Sequence, residues 1–121
     1  MNAVSAGKRD ERASAKPVRQ AYRRWRPYCE PHRMGAPGKC FGALHVHEPW
    51  TRARGGPIDD PRNMATACDF HNTWLSQSAG GLAFGDEHGL LVSAERGPAW
   101  LEAGGRFPGE TRESMVDRVM G

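Results

Sequence analysis

The sequence predicts a small, irregular α+β domain flanked by a disordered basic N-terminal arm and a loosely structured C-terminal tail. Two counts and one pattern predict it. Glycine and proline fill 15 and 9 of the 121 positions, a content suited to turns and irregular stretches and not to a helical bundle or coiled coil. Hydrophobic residues make only 38%, so the compact part is expected to be small and its core to need help from a staple. Within residues 26–78 a short segment with a period of two precedes one with a period of three to four, as a strand and then a helix would.

Taking the chain in order, residues 1–25 are the expected arm. Lys8, Arg9, Arg12, Lys16, Arg19, Arg23, Arg24 and Arg26 face only Asp10 and Glu11, a local balance of +6 through residue 26, and the rest of the chain is net −3. Such a layout suits contact with a polyanion. Large apolar residues are nearly absent up to Pro17, which predicts disorder there, whereas Val18–Trp25 could form a short basic helix or strand. No run of about 18 apolar residues exists, and the first twenty residues lack an apolar signal core. A cytoplasmic protein without a membrane span is therefore expected.

Residues 26–78 hold all three cysteines and four of the five histidines. Ala43–His47 alternates as a strand with Leu44 and Val46 on one side and His45 and His47 on the other. Arg52–Pro61 reads as an extended loop. From Met64 to Leu75, apolar and chemical positions recur at helical spacing, predicting a helix. Residues 79–121 read as a C-terminal extension that begins at a flexible joint, Ser78–Gly81, and contains a Gly/Pro-rich break at Ala103–Gly109. Met115, Val116, Val119 and Met120 are spaced as one helix face there.

Two constellations carry chemistry. Cys29, Cys40 and Cys68 are an odd number in a chain with no secretion signal, so a disulfide framework explains them poorly. Cys68 and His71 sit about one helical turn apart, and with Cys29 and Cys40 they make a Cys3His set suited to structural zinc. Cys29-Glu-Pro-His32 offers a second Cys-x-x-His pair, so His32 could replace Cys40. The other constellation is His45-Val-His47-Glu48-Pro49, then Arg52-Ala-Arg54-Gly55-Gly56, Asn63 and His71-Asn72. It combines an imidazole able to take a proton from water, amides able to orient it, and donors able to hold a divalent cation.

His47-Glu-Pro-Trp-Thr-Arg-Ala-Arg-Gly-Gly, followed sixteen residues after His47 by Asn63 and then by Cys68-Asp-Phe-His71-Asn72, resembles the HNH endonucleases. The likeness is strongest to the small zinc-containing type encoded by actinobacterial phages and their hosts. It covers about Tyr28–Leu75. The resemblance implies a ββα-metal domain: a two-stranded ribbon bearing His47, a loop holding Asn63, and a helix bearing the last ligand. It implies a hydrolase that nicks or cuts duplex DNA. His47 would be the general base, with Asn63 and Asn72 completing the catalytic set. The cation would be Mg²⁺ or Mn²⁺, in some members Ni²⁺ or Zn²⁺, held with the help of His45 or Glu48.

Family members commonly end the zinc turn as Cys-x-x-Cys-His, where this chain has His71-Asn72. In one register His71 replaces the second zinc cysteine and Asn72 the last catalytic histidine; in the other, His71 is the catalytic ligand. The first keeps four zinc ligands and three catalytic positions without sharing a residue. Val46 stands where many relatives carry a cation ligand. Arg52 and Arg54, with Arg23 and Arg24 of the arm, are the expected DNA contacts. DNA is the implied partner, and a phage setting would add packaging proteins. The alternative reading is a non-catalytic, zinc-stapled DNA-binding or assembly module derived from such a nuclease.

Overall fold

The computed structural model describes the backbone of residues 3–121 and the side chains from Ala13 onward; Met1 and Asn2 lie outside the described residues. In chain order come α1 (Ala3–Trp25), α2 (Glu30–Arg33), β1 (Leu44–His47), β2 (Ala65–Cys68), α3 (Asp69–Gln77), α4 (Ala79–His88), α5 (Gly97–Glu102) and α6 (Arg112–Met120). Single 3-10 turns lie at Arg52–Arg54 and Pro61–Asn63. The α+β class is as expected. β1 and β2 pair antiparallel, with His45 opposite Ala67 and His47 opposite Ala65, and α3 leaves β2 without a connecting loop.

The flanks differ from expectation. The arm expected to be disordered is helical from Ala3, and Ala15, Val18, Ala21 and Tyr22 are buried along it. Two of these four are alanines, so the stripe is apolar enough to pack yet lacks the large residues by which amphipathicity is usually read. The stripe meets α6, whose Met115 and Val119 are buried; with Met64 they form one core, edged by Trp25, Val46, Phe107 and Val116. The expected C-terminal tail is therefore also part of the packed body. Opposite ends of the chain supply apolar surface that residues 26–78 alone do not contain.

The helix expected over Met64–Leu75 is corrected as well. Ala65–Cys68 is a strand with all four residues buried, and the helix starts at Asp69. A short strand covered on both faces carries no alternation and cannot be told from a helical segment by period alone. The switch occurs at Cys68, whose backbone is extended and whose sulfur accepts the His71 N–H. Ser78 is a tight corner where a flexible joint was expected: it ends α3, and its hydroxyl accepts the Gly81 N–H of α4 at 2.8 Å. The α3–α4 pair encloses a second core of Ala65, Leu75 and Leu90, with Met34, Trp74 and Phe84 packed against it.

Between the two cores lies a buried polar knot. The Glu30 carboxylate, 4% exposed, accepts the Tyr22 hydroxyl at 2.7 Å, the Thr66 N–H at 2.7 Å and the Arg106 guanidinium at 3.0 Å. Arg106 also donates to the Tyr22 hydroxyl and the Met64 carbonyl, each at 3.0 Å. Burial, above all, keeps the Tyr22 phenol protonated far above the ordinary tyrosine range. The Thr66 hydroxyl, by contrast, is buried with no hydrogen-bond partner among the described residues. An unpaired buried polar group costs about 1–3 kcal/mol. Thr66→Val, close in shape, is expected to raise Tm by several degrees in a thermal melt; an unchanged or lowered Tm would show that the hydroxyl is satisfied.

Candidate functional site

The best-formed site is the tetrad of Cys29, Cys40, Cys68 and His71, whose ligand atoms all lie within 4.8 Å of one another. Each comes from a different structural setting. Cys29 is the residue before α2, Cys40 lies in the loop before β1, Cys68 ends β2, and His71 sits in the first turn of α3. His71 Nδ1 is 3.5 Å from Cys29 Sγ, 3.7 Å from Cys40 Sγ and 3.3 Å from Cys68 Sγ. Zinc–sulfur bonds of about 2.3 Å in a tetrahedron place ligands roughly 3.6–3.8 Å apart, so the set fits that ion. His71 Nε2 donates to the Pro37 carbonyl at 2.9 Å. That bond fixes the tautomer with the Nδ1 lone pair facing the cysteines, the usual outer-shell arrangement of a metal-binding histidine.

The thiols are poised for the same role. Burial works against a Cys68 thiolate, yet N–H groups of His71 and Phe41 and the His71 ring stabilise the anion and bring its pKa down to about 6. Burial and hydrogen bonds to the other two sulfurs push Cys40 up to about 12. A divalent cation would displace the remaining protons. The four residues are thus a group able to bind a structural metal such as zinc. Of the two sequence registers, the geometry groups His71 with the cysteines. His32 is exposed, with its ring 5.7 Å from that of His71, and stands outside the tetrad.

The second set is brought together in part. His47, at the end of β1, is 8% exposed, and its Nε2 donates to the Leu90 carbonyl at 2.6 Å. Burial lowers its pKa below the ordinary 6.5, against the opposing pull of the Leu90 carbonyl, the Glu48 charge and a hydrogen bond with the Asn72 side chain. His47 and Asn72 are therefore neighbours across the β1–α3 junction. Asn63 acts at a distance. Fully buried, it accepts the Trp50 N–H at 2.9 Å and donates to the carbonyls of Trp50 and Pro57, each at 2.8 Å, clamping the loop after β1. The glycine pair in that loop has two separate causes. Gly55 closes the 3-10 turn with φ +97°, and a Cβ on Gly56 would lie 1.8 Å from the Trp50 carbonyl oxygen.

His45 and Glu48 are engaged elsewhere. His45 is exposed and pairs with Asp69, where it and the Ala43 N–H hold the Asp69 carboxyl below the usual range. Glu48 turns to α1 and pairs with Arg19 at 3.3 Å. Among the described residues, the tetrad is the one group of three or more His, Cys, Asp or Glu side chains that could hold a metal. Arg23 and Arg52 line a cleft between α1 and β1, while Arg24 and Arg54 are exposed outside its lining. Trp50 is buried, and Trp25 and Trp74 pack against the two cores, as expected of structural tryptophans.

Sequence reasoning missed two contributors. The Leu90 carbonyl that orients His47 has no side-chain signature and belongs to the extension, 43 residues away. The Val92 N–H holds that segment in place on the Pro49 carbonyl at 2.9 Å. Glu30, the centre of the polar knot, stands in sequence as a variable residue of a Cys-x-x-His pair and carries no signature of its own. No described helix is long and apolar enough to cross a membrane. No family model, curated protein or solved structure matches the chain.

Proposed function

We propose that this protein is a metal-stapled ββα endonuclease of the HNH type that hydrolyses phosphodiester bonds in DNA. The observation that carries the reading is the setting of His47. Its Nε2 proton is committed to the Leu90 carbonyl, which leaves Nδ1 as the proton acceptor, and burial favours the neutral ring. A neutral, oriented imidazole can take a proton from water as water attacks phosphorus. Asn72 touches that ring from α3, and Asn63 holds the loop that leaves β1. The zinc tetrad would fix the β2–α3 corner on which Asn72 is carried. A divalent cation, when bound, would supply polarisation of the scissile phosphate. Asn72 would offer it an oxygen beside His47, whereas Glu48 is held by Arg19 at 3.3 Å.

The test is nicking of supercoiled plasmid by the zinc-loaded protein with Mg²⁺, Mn²⁺ or Ni²⁺ added. Cleavage is expected for wild type, with a loss of at least about 100-fold, the scale of a lost general base, in His47→Ala at unchanged zinc content. The sign of the pH dependence follows from burial. Because the folded-state pKa is depressed, the base stays deprotonated below 6.5, so the acid limb of the rate profile lies below that value. An acid limb at or above 6.5 would remove His47 as the base. The engagement of Glu48 by Arg19 favours a second reading, a non-catalytic DNA-binding module. Absence of cleavage with every cation, from folded protein that still binds DNA, would select it.

A further inference from the structure

Helix α1 does more than complete the core. Beside its buried stripe it sets Lys16, Arg19 and Arg23 along a cleft of about 570 Å³, closed on the other side by β1 and by Arg52 of the following loop. Four cations and one carboxylate, Glu48, are among the lining residues. The carboxylate is already neutralised by Arg19 at 3.3 Å, which also donates to the carbonyls of Ile58 and Val46 at 3.2 and 3.3 Å. Arg19 is thus spent on holding the wall. Lys16 donates to no other described residue, and Arg23 makes one exposed bond, to the Leu44 carbonyl at 3.3 Å.

We propose that this cleft is where the sugar–phosphate backbone of duplex DNA docks, with Lys16, Arg23 and Arg52 reaching its phosphates and Arg19 serving as the strut. The proposal rests on the DNA-binding reading above and goes beyond it by assigning the residues. Spacing favours a polymer over a lone anion. Lys16 and Arg23 are seven residues apart on one helix, about 10 Å at 1.5 Å per residue. That is too far for both to grip one phosphate, and it suits a ligand whose charges repeat along a chain. The cleft borders β1, so a backbone lying in it would run past the strand that carries His47. The proposal reverses half of the sequence expectation: Arg23 and Arg52 remain contacts, Arg24 and Arg54 drop out, and Lys16 enters.

Fluorescence anisotropy with a labelled short duplex, in zinc-containing buffer with no other divalent cation, separates these groups. Lys16→Gln/Arg23→Gln is expected to weaken binding roughly 10–50-fold near 0.1 M salt and to lower the slope of log Kd against log salt by about 1.8, two phosphate contacts at about 0.9 each. Arg24→Gln/Arg54→Gln removes the same charge and is expected to change affinity less than about 3-fold. Both pairs are exposed, and circular dichroism checks that the fold is kept. Equal weakening by the two pairs would overturn the assignment, as would wild-type affinity in the first pair. Absence of duplex binding by wild type itself would instead overturn the DNA reading on which the proposal stands.

Discussion

Cys68→Ser is expected to abolish stoichiometric metal binding and to leave the chain unfolded or partly unfolded at room temperature. The substitution is informative because it removes one role of Cys68 and keeps another. As the residue that caps α3, Cys68 accepts the His71 N–H through its sulfur at 3.4 Å, and serine is itself among the best helix-capping residues. What is lost is the thiolate at one vertex of the tetrad. Structural zinc binding contributes about 10–16 kcal/mol in small zinc-dependent peptides, more than the roughly 5–15 kcal/mol of net stability of an ordinary domain. Chelation of the wild-type metal should give the same circular dichroism spectrum as the mutant. A zinc-free mutant with the wild-type melting curve would remove the metal from the account of this fold.

Arg106→Met is expected to cost about 3–5 kcal/mol, the penalty for leaving a buried carboxylate unpaired, seen as a fall in Tm of roughly 10–20 °C. Arg106 and Glu30 are only 11% and 5% exposed at their side chains, so water cannot take over the lost interaction. The Met64 carbonyl and the Tyr22 hydroxyl lose a donor in the same step. The double variant Arg106→Met/Glu30→Gln should recover part of the loss, since it removes the orphaned charge while Gln still offers an oxygen to Tyr22 and Thr66. A double variant worse than the sum of its parts would mean that shape, and not charge, is what the knot contributes. Thermal melts of the three variants decide the question.

How legible these features were in the sequence depended on whether a residue announces itself alone. The tetrad was readable because cysteine is rare and soft, and an odd number of thiols beside a Cys-x-x-His turn leaves few uses. The ββα order was readable through the resemblance, but the residues by themselves pointed to a helix over Met64–Leu75, because Ala65–Cys68 is buried on both faces and carries no alternation. The ordered arm was missed because Ala15 and Ala21 contribute by closeness of approach, not by hydrophobic bulk. Arg106 looked like one more cation near a Gly/Pro-rich break; only the fold brings it to Glu30, 76 residues away. Besides Asn72, His47 is held by a main-chain carbonyl, which no side-chain pattern encodes.

The knot around Glu30 also gives the chain a temporal order. Made from the N-terminus, it carries every tetrad ligand once His71 has been added, yet the cation that neutralises Glu30 arrives 35 residues later, and Met115 and Val119 later still. Until then a nascent chain can gather the tetrad and pair its two strands only around an acidic group that still needs water. The corner built on the tetrad can therefore assemble early, while commitment to the finished core waits for α6 to be delivered.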